Sequence, residues 1–402
     1  MVIKVEEKSL LKKCEIYFSL IEDPRNQSYI TYPLSYIIFM VMCGIICGCK
    51  DLEEMIEVLE NKIEIIQKYI KIERIPCLAT FSNILSFLNA LEVELCVLAI
   101  CRNVINDTLI IDENREKVQN EIREISIDGK AIRSTNNHGD PEKALQIVTA
   151  YDVNAHMPVA QTEIKDKTNE IIAGREILNM FEVKGAIITA DAIHCQKETI
   201  NEIVNKGGEY IIQLKENQKN LYKDISLLFD DDLSDKTSSS EYLESSTIEM
   251  NGGRIEKRTC YVLQGMESLN FLNDRLKEWK KAKQIFCIKR EVETNGKKTQ
   301  EKSYYLTSLT DKPELLMKYA RNHWKIESMH WILDVNFKED DCPVKSENTQ
   351  KILNTLRKLA IKLHTDYIAK NNPKRKTIIS SIRNCLTNNK KLEDFLNVAF
   401  KQ

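Results

Sequence analysis

Residues 124–132 read Glu-Ile-Ser-Ile-Asp-Gly-Lys-Ala-Ile, an apolar, β-branched run of strand length that carries a carboxylate, Asp128, near its end. Residues 185–191, Gly-Ala-Ile-Ile-Thr-Ala-Asp, are built the same way and finish on Asp191. A carboxylate on such a strand is costly to desolvate unless a cation faces it. From Glu121 onward the hydrophobic period is that of strands. The runs 124–132, 144–153 and 158–165 predict three successive strands, the last two joined by a turn at Asn154-Ala155-His156. An amphipathic helix is expected over Thr168–Phe181, with Thr168 as its N-cap. Then come the Asp191 strand, a helix from Gln196 to Asn205, a strand from Tyr210 to Leu214 and a helix from Asn217 to Phe229. A three-strand meander followed by alternating helix and strand is an α/β arrangement.

A third stretch, Tyr319–Asp341, carries the densest chemistry. Helical spacing puts His323, Trp324, Glu327, His330, Trp331 and Asp334 on one face, beside an apolar stripe of Ile326, Met329, Leu333 and Phe337. The plain reading is an amphipathic helix with core aromatics and solvated charges. Core packing is favoured for Trp324 and Trp331 over stacking on a displaced base. Asp128, Asp191 and Glu327 are hard oxygen donors, suited to Mg²⁺ or Mn²⁺ rather than zinc. Two such ions activate an attacking water or hydroxyl and stabilise the leaving oxygen of a phosphodiester.

The motifs come in a telling order: Ile127-Asp128-Gly129-Lys130 with Arg133, Asp191-Ala192 with Cys195-Gln196-Lys197, and Leu214-Lys215 with Asn217-Gln218. Then come His323-Trp324, Ile326-Glu327, His330-Trp331 and Leu333-Asp334-Val335. In this order they resemble the H-repeat-associated (ISAs-type) insertion-sequence DDE transposases, and weaker similarity reaches back to Asp23-Pro24-Arg25. The wider superfamily often has Arg four residues before the third acid and Lys seven after it; this chain has His323 and Asp334 there.

The resemblance implies an RNase H-like catalytic domain over residues 119–370, with a β-rich insertion at about 231–310. A helical accessory domain over 1–118 would precede it, and a basic tail over 371–402 would follow. It implies a catalytic and metal-binding triad of Asp128, Asp191 and Glu327, holding two Mg²⁺ or Mn²⁺ ions. The triad would cleave at transposon ends and transfer the freed strand to target DNA. The partners implied are double-stranded DNA, as terminal inverted repeats and target, and a second copy of the chain when DNA is bound. Candidates for DNA contact are Lys130, Arg133, Lys215, Asn217, Gln218, Arg321, His323, His330, Lys374, Arg375 and Lys376. The alternatives are an inactive DNA-binding remnant of a mobile element and a host-adopted nuclease.

The chain has 402 residues, 43% hydrophobic and 29% charged, with net charge −2, so any attraction to DNA must be local. Residues 351–402 supply a local excess, 12 Lys or Arg against 3 Asp or Glu. Twelve scattered Cys without paired zinc spacing, and no secretory signal, read as reduced thiols of a bacterial cytosol. No phosphate-binding or dinucleotide-binding glycine loop occurs. The uncharged stretch Leu34–Cys49 is shorter than the roughly 20 residues of a membrane span, so a buried helix and no membrane partner are expected. Asp230–Thr247 is expected to be a polar loop, with strands following at 254–263, 284–293 and 303–308.

Overall fold

The computed structural model describes residues 16–112, 122–135, 144–164, 170–234, 242–264, 272, 274–371 and 377–400. Thr168 and the Lys374-Arg375-Lys376 run lie outside the described residues.

Among the described residues, the main helices ahead of the first strand are α1 (Leu34–Ile46), α2 (Leu52–Glu60), α3 (Ile63–Ile66), α4 (Leu78–Phe87) and α5 (Ala90–Asp112). Uncharged α1 is buried on nearly every side, as a helix apolar all round must be. Asp51 starts α2 by accepting from the amides of Glu53 and Glu54 at 3.0 and 2.9 Å. Among the described residues no single helix is long and apolar enough to cross a membrane. The bent pair Leu78–Phe87 and Ala90–Cys101 meets that test by length and composition only.

The strands are β1 (Glu124–Ile132), β2 (Leu145–Asp152), β3 (Met157–Ile164), β4 (Ile187–Ala190), β5 (Glu209–Leu214), β6 (Tyr242–Asn251), β7 (Arg254–Leu263), β8 (Gln284–Thr294) and β9 (Lys297–Thr307). They form one mixed sheet in the order β3-β2-β1-β4-β5-β9-β8-β7-β6. β4 runs parallel to both β1 and β5, and the other pairings are antiparallel. The four strands after β5 thus extend the same sheet, with β9 hydrogen-bonded to β5.

Helices α6 (Glu170–Glu176), α7 (Lys197–Asn205) and α8 (Lys219–Ser234) follow β3, β4 and β5. One sheet face buries Ile125, Ile127 and Val148 against Ile200 and Ile203 of α7 and Ile225 and Phe229 of α8. The chain after β9 supplies the other face with α9 (Pro313–Asn322), α10 (Trp324–Val335), α11 (Glu347–Asn371), α12 (Ile378–Thr387) and α13 (Asn389–Phe400). Leu316 and Met317 of α9 pack on Ile187, Ile211 and Phe286. The N-terminal helices share a single apolar core with α10 to α13, for example Ile37 and Phe81 with Leu333, Leu356 and Phe395.

Three sequence expectations change. Asp230–Thr247 is not one loop: α8 runs to Ser234 and β6 begins at Tyr242. β6 is the edge strand, exposed along most of its length, so its polar composition imitates a loop. The Tyr319–Asp341 stretch is two helices, with His323 at the joint between α9 and α10 rather than on the face of either. Residues 351–371 and 377–400 are packed helices that divide the basic residues, with Arg383, Lys390 and Lys391 left exposed. Arg357 and Lys358 of α11 are buried, and so are Leu392, Phe395 and Leu396 of α13. An amphipathic helix needs only one apolar stripe, which a count of charges does not register.

Candidate active site

Strand alternation sorts the side chains of β1. Ile125 and Ile127 face the core under α7 and α8, while Glu124, Ser126, Asp128 and Lys130 face α9 and α10. Each of the four has a partner. Glu124 accepts from Asn322 Nδ2 at 2.8 Å. The Ser126 hydroxyl lies 2.9 Å from that of Thr189, which lies 3.1 Å from His323 Nδ1. Asp128 Oδ2 is 3.3 Å from His330 Nδ1. Lys130 Nζ donates to Glu339 Oε2 at 3.0 Å and stands 2.7 Å from Asp334 Oδ1, a charge contact without the angle of an aligned hydrogen bond.

Ile127 is in register with Ala190, the last residue of parallel β4, so Asp128, midway along β1, and Asp191, just past the end of β4, come next on adjacent strands, which run about 4.8 Å apart. Asp191 accepts the amide of Ile193 at 3.1 Å and so opens the short turn Ala192–His194. Glu327 comes to the same place from α10. Asp128, Asp191, Glu327, Lys215, His323 and Trp324 all line one cavity of about 230 Å³.

The electrostatics of this cavity are those of crowded carboxylates. Partial desolvation, and then the charges of Asp128 and Asp191, raise the pKa of Glu327, with Lys215 opposing. Burial works to raise that of Asp128, but the His330 hydrogen bond and the fields of His330 and His323 outweigh it, leaving it below the ordinary value. A fourth carboxylate, Glu170 at the start of α6, is raised by burial and then by Asp191 and Asp128. A Cβ on Gly129 would stand 2.6 Å from Glu170 Oε1, so glycine after Asp128 lets that carboxylate approach β1. Among the described residues no three His, Cys, Asp or Glu side chains converge as a ready-made ligand group. The donor set nevertheless fits a hard divalent cation: oxygens only, from acids whose mutual repulsion a cation would relieve.

The chain matches the model of the "Transposase DDE domain" over residues 119–363 and that of the "DDE_Tnp_1-associated" region over residues 16–100. It belongs to the DDE transposase family. It is 29% identical over 363 residues to "H repeat-associated putative transposase YhhI" of Escherichia coli (strain K12), covering 89% of this chain and 91% of that protein. It is 28% identical over 352 residues to "Putative transposase YncI" of Escherichia coli O157:H7, covering 87% and 86%. These relatives place this transposase in the H-repeat-associated group. A solved piggyBac transposase synaptic complex with hairpin DNA aligns with a TM-score of 0.41 and 11% identity, over 96% of this chain and 77% of that one.

The DNA-contact candidates of this transposase part company in three dimensions. Lys215 and His323 line the cavity. Arg133 is largely exposed, its guanidinium only loosely paired with Asp340 at 3.8 Å. His330 is buried against Asp128. Lys130 points inward to carboxylates, not outward to phosphate. Asn217 and Gln218 donate to the carbonyls of Ala192 and Cys195, so they hold the loop after Asp191. Arg321 pairs with Glu249 of β6 at 2.7 Å. Trp324 and Trp331, expected in the core, are 60% and 59% exposed on either side of Glu327.

The sequence reading assigned no role to Glu339. It is fully buried, accepts from Asn354 Nδ2 at 3.0 Å and pairs with Arg357 at 3.3 Å as well as with Lys130. Burial opposes its charge, but Lys130 and Arg357 win and hold its pKa at about 2. The available signal was a pair of charges, Arg357-Lys358, inside an otherwise apolar helical run.

Proposed function

We propose that this transposase cuts DNA at the ends of its own element and joins the freed strand to target DNA, using Asp128, Asp191 and Glu327. The observation that carries the reading is the gathering of these three acids, from β1, β4 and α10, on one cavity rimmed by Lys215 and Trp324. In the first step a water oxygen bonds to phosphorus, the P–O3′ bond breaks, and the 3′ oxygen leaves with a proton. In the second step the 3′-hydroxyl attacks a target phosphodiester, so one P–O bond forms and one breaks, and no outside energy source is needed. Divalent ions bound by the three carboxylates would supply charge neutralisation and activation of the attacking oxygen. Lys215, on the cavity wall, meets a phosphate oxygen in this reading, and the exposed Arg133 meets the backbone outside the cavity. The exposed faces of Trp324 and Trp331 offer stacking surfaces for a displaced base.

The meander of β1 to β3 and the alternation through β5 support an RNase H-like core over 119–370, with 231–310 inserted and the flanking regions 1–118 and 371–402 accessory. A DNA-bound homodimer in the bacterial cytosol belongs to the same proposal. The test is incubation of the chain with duplex carrying the ends that flank its gene, with Mg²⁺ and with chelator. Metal-dependent nicking at the ends followed by joined product supports the reading. Binding without cleavage indicates a remnant, and cleavage without joining a nuclease. Asp128→Ala, Asp191→Ala and Glu327→Ala are each expected to abolish cleavage and leave DNA binding in place; full cleavage by any one removes that residue from the site.

A further inference from the structure

We propose that Lys130 and Asp334, together with Asp128 and His330, form a two-point clamp that fixes where α10 holds Glu327 over the two strand acids. The inference rests on the catalytic reading above and gives Lys130 a positioning role in place of a phosphate contact. Asp128 and Lys130 are two residues apart on one face of β1, a separation of about 6.7 Å along the strand. Their partners His330 and Asp334 are four residues apart on α10, about 6 Å along the helix. The two spacings match, so both contacts form together. One contact alone would let α10 swivel about it. Two contacts in a line fix its direction and register, and Glu327 lies one turn before the first.

The anchor of the second contact is itself tied down. Besides Asp334, the Lys130 ammonium meets Glu339 at 3.0 Å and Asp340 at 3.9 Å, and its side chain is only 9% exposed. Glu339 is held by Asn354 and Arg357 of α11, and Arg357 Nη2 donates to the Lys50 carbonyl, just before α2, at 2.8 Å. The clamp thereby reaches from the acid on β1 through α11 to the N-terminal helices. A lysine set among three carboxylates has its charge turned to the frame of the fold rather than to a phosphate.

Asp334→Asn on the full chain is the informative variant. It keeps the shape of a half-exposed side chain and leaves Lys130 paired with Glu339. The readouts are Mn²⁺ affinity by calorimetry without DNA, duplex affinity in chelator, cleavage, and thermal unfolding. Mn²⁺ affinity and cleavage are expected to fall together by about 10- to 100-fold, as when outer partners of metal ligands are removed. DNA affinity stays unchanged, and unfolding hardly moves, because a half-exposed pair contributes little. Asp334→Glu recovers part of the loss. Wild-type Mn²⁺ affinity in both Asp334→Asn and Lys130→Met overturns the clamp, however far their melting temperatures fall. Glu327→Gln separates the two failures. If it loses Mn²⁺ while Asp334→Asn and Lys130→Met both retain it, the clamp falls and the catalytic reading stands. If the wild-type chain takes up no Mn²⁺, the catalytic reading falls and takes the clamp with it.

Discussion

Two lysines are buried on the same face of the sheet, and they are held in opposite ways. Lys130 on β1 sits among Asp334, Glu339 and Asp340. Lys358 on α11 reaches Thr149 and Gln161, which lie in register with Asp128 on β2 and β3, and its direct partners there are the neutral oxygens Thr149 Oγ1 at 3.0 Å and Gln161 Oε1 at 2.8 Å. Burial pulls both pKa values down. For Lys130 the charges of Glu339 and Asp334 overcome that pull and leave it raised. For Lys358 burial wins over the more distant Glu339 and Glu94, and the pKa falls to about 8. The difference shows that burial does not decide a lysine's state; the formal charge of what it touches does. Lys130 is held as a cation, whereas Lys358 is a satisfied hydrogen-bond donor whose charge is a burden.

The largest effect expected from this contrast is at Glu339. Glu339→Gln leaves the cations of Lys130 and Arg357 without their shared anion, and losing one partner of a buried pair costs about 3–5 kcal/mol. Urea unfolding at neutral pH measures it, and a loss below about 1 kcal/mol would mean that hydrogen bonds, not charge, dominate the network. Acid should act in the same direction. The pKa of Glu339 is depressed to about 2 from an ordinary 4.5, so its contribution, about 3 kcal/mol, is present above 4.5 and lost as pH falls toward 2. Glu339→Gln should flatten that part of the profile.

Next comes Lys358, where the sign reverses. Its folded pKa of about 8 lies below the ordinary 10.5, so the unfolded chain binds more protons in that window and stability rises with pH. The gain is roughly 2 kcal/mol between pH 8 and 9.5. It should vanish in Lys358→Met, as the difference between variant and wild-type unfolding across that range will show. Lys130, with a raised pKa, contributes no such slope. The smallest effect is expected at neutral pH, where Lys358→Met should lie within about 1 kcal/mol of wild type, since an apolar replacement of a buried charge is often near neutral. A loss as large as that of Glu339→Gln would erase the distinction between the two lysines.

Much of the fold could be read from local pattern. The Asp128 and Asp191 runs are strands because β-branched residues alternate or cluster there, and the bounds expected for 124–132 agree with β1. The Leu34–Cys49 helix was legible because a stretch without charge has nowhere to go but the core. β6 was not, since a strand at the edge of a sheet buries little and needs no apolar face. Trp324 and Trp331 were misread for the converse reason. Large aromatics are usually buried, and only the docking of α10 on Ile326, Met329 and Leu333 turned these two outward.

By itself the sequence determined the kinds of element and the order of the acids, because alternation and helical period are properties of neighbours along the chain. It carried the family as well, in motifs spread from Ile127 to Val335. Only the tertiary structure decided which charges serve the cavity and which serve the frame. Lys130 and Lys215 look equally fit to meet a phosphate when read in line, yet one faces Glu339 and the other lines the cavity of Glu327. The physical reason is that the partner of a charge is set by what the fold brings across from it. Glu339 lies 209 residues from Lys130 along the chain and 3.0 Å from it in space.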